Sequence, residues 1–219
     1  MPVRTGPLTV DSTTIALGLA QIRIGASAAN ITRRYPVLAA SASIGALANT
    51  IFRSNVEYFN LESGFPMLRD AVFPLREASQ LECGFKEMTP ANFALAKGLD
   101  YTLYTSAHVG VIPLGAISAP TVLRMEAIYT YPDATNTMNI IFPRMQATAA
   151  IEMDFAPEEP AAVAVILESV RADSGISGGN DTWDDEPLGR IIWDDGTGGG
   201  FTTTTTTSSS STTTTTAPP

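Results

Sequence analysis

The sequence predicts a mainly β domain with one short helix, on three observations. Apolar residues recur with period two in several segments between 14 and 193. Clusters of Gly, Pro, Asn and Asp break those runs into strand-like lengths, and only one stretch carries both the start and the stop signals of a helix. The 219 residues suffice for one substantial core and would be cramped as two. The domain is expected to span 1–195, and 196–219 to be a Gly-rich hinge and a Thr/Ser-rich low-complexity tail.

In chain order, Thr14 to Gly25 places Ile15, Leu17 and Leu19 and then Ile22 and Ile24 on alternate positions, a strand with a bulge near Ala20 and Gln21. Residues 26–49 are small and weakly periodic, with Arg33-Arg34 before Tyr35-Pro36, and are expected to form a long loop or arm. Loops of that length inside a compact domain are usually functional, often as a contact with another molecule. Asn55 to Glu62, Met67 to Phe73 and Arg76 to Glu87 read as three extended segments, separated by Ser63-Gly64 and by Pro74. Thr89 as a cap, Pro90 at the first helical position and Gly98 as a stop bracket a helix from Pro90 to Lys97. Its Phe93, Ala94 and Leu95 are expected to pack on a sheet. Pro120 to Tyr131 and Met138 to Phe155 read as a hairpin across 131–136. Ala161 to Arg171 and the short Arg190 to Trp193 complete the strands.

Apolar residues are 44% of the chain and charged residues 16%, against roughly 25% charged in ordinary soluble domains. So little charge suits subunits that bury their surface against copies of themselves, and equally suits hydrophobic binding proteins. The formal charge of −9 is uneven: 11 basic and 10 acidic residues precede position 152, and 2 basic and 12 acidic follow from there. Tight nucleic-acid binding needs clustered Lys and Arg, so this balance argues against it while allowing DNA to pass without sticking. Met1 to Val10 lacks the apolar core of a signal peptide, which implies synthesis in the cytoplasm. No run approaches the roughly 20 apolar residues of a membrane span, and no membrane insertion is expected.

Residues with the chemistry for catalysis or metal binding are sparse. One His and one Cys, 25 positions apart, offer no metal-ligand spacing. Cys83 is expected to be a buried apolar residue, and His108 an exposed or hydrogen-bonded loop residue without a nucleophile elbow to serve. Gly175, Gly178 and Gly179 lack the Lys-Ser/Thr ending of a phosphate loop. Asn180 to Asp185 lacks the alternating ligands and terminal Glu of a calcium loop and reads as a solvated acidic loop. Trp183 and Trp193 are expected to pack rather than to form a ligand platform. No catalytic residue, metal ligand or cofactor is assigned, and no enzymatic activity is expected.

The order of features from Val56 onward resembles the tail tube (major tail) proteins of long-tailed bacteriophages. The residues that carry it are Leu61-Glu62-Ser63-Gly64-Phe65-Pro66, then the strand through Gln80-Leu81-Glu82-Cys83-Gly84-Phe85-Lys86-Glu87. The helix from Met88 to Gly98 and the closing Glu186-Pro187-Leu188-Gly189-Arg190-Ile191-Ile192-Trp193 follow, and the likeness covers about Leu8 to Trp193. It implies a β-sandwich or barrel with one flanking helix, hexameric rings stacked into a tube, and a channel that conducts the genome during ejection. Residues 26–49 would then be the inter-ring arm. The implied partners are further copies of the chain, a tape measure protein, a tail terminator and baseplate or tip proteins, with DNA in transit and the virion tail as location. A channel for DNA should be negative, which makes Glu57, Glu62, Glu77, Glu82, Glu87, Glu126 and Glu152 candidate lumen-facing residues. The alternatives are another virion part, such as a capsid decoration protein or tail terminator, and a surface binding domain on a mucin-like stalk.

The tail is an unbroken Thr/Ser run: Thr202, Thr203, Thr204, Thr205, Thr206, Thr207, Ser208, Ser209, Ser210, Ser211, Thr212, Thr213, Thr214, Thr215 and Thr216. It has too little apolar content to repay the entropy of ordering by burial. Its composition is that of O-glycosylated stalks, so each of these hydroxyls is a candidate acceptor.

Overall fold

The computed structural model describes residues 20–63, 68–104, 106, 108–115, 119–132, 134–148, 152–153 and 163–194. The Thr/Ser tail, and the part of the first expected strand before Ala20, lie outside them. The architecture is mainly β with short helices, as the alternation predicts. The strands are β1 (Gln21–Ala26), β2 (Leu47–Ser63), β3 (Leu68–Phe85), β4 (Leu123–Thr130), β5 (Thr137–Ala147), β6 (Glu152–Met153), β7 (Val163–Ser169) and β8 (Arg190–Asp194). The helices are α1 (Ser27–Asn30) and α2 (Pro90–Ala96).

All the strand pairings are antiparallel, in the order β1-β4-β5-β7-β3-β2, with β6 added to β7 and β8 to β5. Among the described residues the sheet does not close into a barrel. It folds round on β5 instead. Along one edge β5 pairs with β8 over Thr137–Ile141 and then with β7 over Met145–Ala147. Pro143 lies between the two stretches, where the ladder is interrupted and its missing N–H costs least. Ile22, Leu81, Phe85, Met125, Phe142 and Leu167, drawn from both ends of the sheet, meet in the main core. Cys83 belongs to it, at 1% exposure, and burial pushes its thiol up to about 12, with neighbouring Glu82 adding to the effect.

Helix α2 forms as its local signals demand. The Thr89 hydroxyl accepts from the Asn92 N–H at 3.1 Å, and Pro90 opens the helix. At the other end Gly98, with φ of 73°, donates to the Leu95 carbonyl while Leu99 donates to Ala94. That double closure needs a left-handed residue, which glycine supplies without a Cβ penalty. Leu95 and Ala96 enter the core and Phe93 packs beside it; Ala94 is buried as well.

Met138 to Phe155 is not one strand, since β5 ends at Ala147 and β6 is a separate strand that pairs with β7. Two expectations in the first half of the chain also need correction. The three extended segments between 55 and 87 are one long hairpin, β2 with β3. Pro74 does not end a strand there: it pairs with Tyr58 beside a register shift that leaves Leu75 as an extra residue, and no described strand pairs with that part of β3 on its other side. The other correction concerns 26–49, which is not an arm. Ser27 donates to the Pro143 carbonyl at 2.7 Å, Ile44 and Leu47 enter the core, and 31–38 is bound across the β1–β4 face. Gly25 of β1 lets this stretch approach closely: a Cβ there would meet the Leu38 side chain at 2.6 Å.

Candidate functional site

The most distinctive surface is the outer half of the β2–β3 hairpin. β3 is paired on both sides only over Gln80–Phe85, where β7 flanks it. From Asn55↔Ala78 outward the two strands form a ribbon with no further strand beside it among the described residues. An isolated two-stranded ribbon is marginal in water. This one carries Tyr58, Phe59, Leu61, Leu68, Val72, Phe73 and Leu75 exposed, Leu68 and Leu75 at 64% and 63%. Register places Phe59 opposite Phe73 and Leu61 opposite Ala71 on one face, and Asn60 opposite Val72 on the other. The free edge of β2 runs for 17 residues without a Pro or Lys to discourage pairing with another chain.

Charge is interleaved with these apolar residues. Glu57 stands opposite Arg76, and Glu62 opposite Arg69, while Arg53 is ion-paired with Glu82 nearer the base. Glu77, opposite Val56, lines a cleft of about 210 Å3 between the hairpin and β5–β8, together with Phe52, Ser79, Phe142 and Arg190.

The candidate acidic residues therefore divide. Glu57, Glu62 and Glu77 lie on the projecting half of the hairpin, Glu57 and Glu62 each opposite an Arg. Glu82 is engaged by Arg53, and Glu87 accepts from the Ala46 N–H at 2.9 Å. Glu152 lies in β6, whose side chains are outside the described residues. Glu126 is a correction: it is fully buried and faces no channel. The alternation Leu123-Arg124-Met125-Glu126 reads as a strand with one wet face, but 31–38 covers that face.

Beneath this cover Arg124 and Glu126 form a 2.8 Å ion pair with both side chains at 0% exposure. Arg124 donates to the carbonyls of Asn30, Arg33 and Tyr35, and Glu126 accepts from the N–H groups of Val37 and Leu38. Burial draws the Arg124 pKa down, and the bond and charge of Glu126 oppose that shift. Buried charges persist only when paired and hydrogen-bonded in this way.

His108 is exposed, and its backbone N–H donates to the Ser106 hydroxyl at 3.4 Å. Trp183 is fully buried against Ile141, Ala172 and Ile192. Trp193, expected to pack, is 64% exposed instead; it stands opposite Met138 next to the end of the β5–β8 ladder. In the acidic loop Asn180 accepts from Thr182 and Asp184 accepts from the Ser174 N–H, which holds the Asp184 carboxyl below its usual range. Among the described residues no group of three or more His, Cys, Asp and Glu is placed to hold a metal ion, and no helix is long and apolar enough to cross a membrane. Comparison with known protein families and with curated proteins finds no match to the chain.

Proposed function

We propose that this chain is a structural subunit that assembles with copies of itself, and specifically the tail tube protein of a long-tailed bacteriophage. The observation that carries the self-assembly reading is the projecting half of the β2–β3 hairpin, with exposed aromatic and aliphatic residues and free edges. A monomer that left this ribbon in water would present an aggregation site. Lodging it against the next copy buries the apolar residues and satisfies the edge, and a closed ring repeats that solution at every interface. The tail tube reading rests further on the likeness of motif order from Val56 to Trp193. It places hexameric rings in a stack around a channel that the genome traverses.

In this reading the hairpin takes over the inter-copy role expected of 26–49. Glu57, Glu62 and Glu77, on the hairpin, are then candidates to face the lumen, and Glu126, which is enclosed, is not. The overall charge of −9 disfavours adhesion of phosphates to the wall. The tube would meet a tape measure protein within, and a terminator and a baseplate or tip at its ends, with the Thr/Ser tail outside as a carrier of O-linked sugar.

Negative-stain microscopy with sedimentation of the purified full chain tests the reading. Rings or tubes with a central hole are expected, and a monomer that persists at high concentration would end the proposal. The glycosylation is tested apart, on virion-derived protein: an intact mass equal to the 23.1 kDa polypeptide removes it.

A further inference from the structure

We propose that 31–38 is a latch that opens as one unit, ahead of the sheet, and uncovers a second apolar surface centred on Trp183. The segment has no regular secondary structure and is held almost wholly by side chains from elsewhere. Arg124 takes two of its carbonyls, those of Arg33 and Tyr35, and that of Asn30 just before it; Glu126 takes the Val37 and Leu38 N–H groups, and Arg23 donates to the Leu38 carbonyl at 2.8 Å. At its start the Trp183 indole N–H donates to the Ile31 carbonyl, and Arg34 pairs with Glu186 at 2.8 Å. Glu186 also pairs with Arg190.

These attachments converge on few groups, so they break together. Loss of the Glu126 carboxylate contact removes both amide bonds at one end and leaves Arg124 without its counter-charge. Loss of the Arg34–Glu186 pair frees the other end. The main core shares no side chain with this set, because Ile22, Met125 and their neighbours face the opposite side of β1 and β4. Ile31 is the apolar residue that the segment lays on the cluster of Ile141, Ala172, Trp183 and Ile192. When the segment lifts, that cluster and the Arg124–Glu126 pair become solvent-accessible while the sheet stays intact.

Native-state hydrogen exchange on the full chain tests this. The Val37 and Leu38 amides are expected to exchange at least about 100-fold faster than the doubly paired amides of Gln80–Phe85, through an opening of low denaturant sensitivity. In Trp193→Phe, where Trp183 is the sole indole, acrylamide quenching should follow the same opening. Glu126→Gln should speed exchange at Val37 and Leu38 by a further tenfold or so while the β3 amides keep their protection. Exchange of Val37 and Leu38 only in step with Gln80–Phe85 in the unmodified chain would overturn the proposal, whether or not the variant folds.

Discussion

The two halves of the β2–β3 hairpin are built from similar residues and stand in opposite surroundings. At the base, Leu81, Cys83 and Phe85 are at most 1% exposed, and β7 extends the ladder beside them. In the outer half, Phe59, Leu61, Phe73 and Leu75 are exposed, and neither edge has a described neighbour. At the base β3 alternates apolar and small or polar residues from Gln80 to Phe85, whereas the outer half carries apolar residues on both faces and accommodates two register shifts that leave Asp70 and Leu75 as extra residues. Intramolecular packing explains the base completely. The outer half carries apolar residues on both faces with charges between them, and within one chain those apolar residues stay exposed. Apolar residues in one strand pair thus serve folding in one half and, in our reading, association in the other.

Substitutions can separate the two roles. The largest effect on the isolated chain is expected for Phe85→Ala, at about 3–5 kcal/mol of unfolding free energy in denaturant titration, because the core cannot collapse around the lost ring. An effect under 1 kcal/mol would show that the base is not the anchor of the hairpin. Thr89→Ala should cost about 1 kcal/mol through the lost helix cap, measured in the same way. The paired change Phe59→Ser with Phe73→Ser is expected to alter chain stability by no more than about 1 kcal/mol, since both residues are about half exposed and belong to no core cluster. In sedimentation the same change should abolish assembly. Assembly that survives it would separate the exposed aromatic pair from the proposed interface.

The thiol sharpens the contrast without altering the fold. With its pKa pushed up to about 12, Cys83 should resist a maleimide at pH 8 and react once the chain is unfolded. The sign follows from linkage. The folded state retains a proton that the unfolded thiol releases near 9.0, so stability from this group is complete below that value and falls as pH rises towards 12. A folded chain that labels rapidly at pH 8 would mean that the hairpin base opens readily.

Helix α2 was legible residue by residue, because its cap, its proline and its closing glycine act within a few positions of one another. The period-two pattern likewise sufficed for β4, β7 and β8, whose ends lie within a few residues of the expected ones. The joining of three extended segments into one hairpin was not legible. Pro74 is an ordinary strand breaker unless it stands beside a bulge in a ribbon with no outer neighbour, and that neighbour is a tertiary matter. The burial of Glu126 was equally hidden: Arg124 and Glu126 are positioned as a wet face, and only the passage of 31–38 over β4 dries it. The sequence by itself determined the β class, the one well-capped helix and the shortage of catalytic and metal-binding residue types, since each depends on local period or on composition. Only the tertiary structure decided which apolar residues are covered and which project, because burial depends on what the rest of the chain brings alongside.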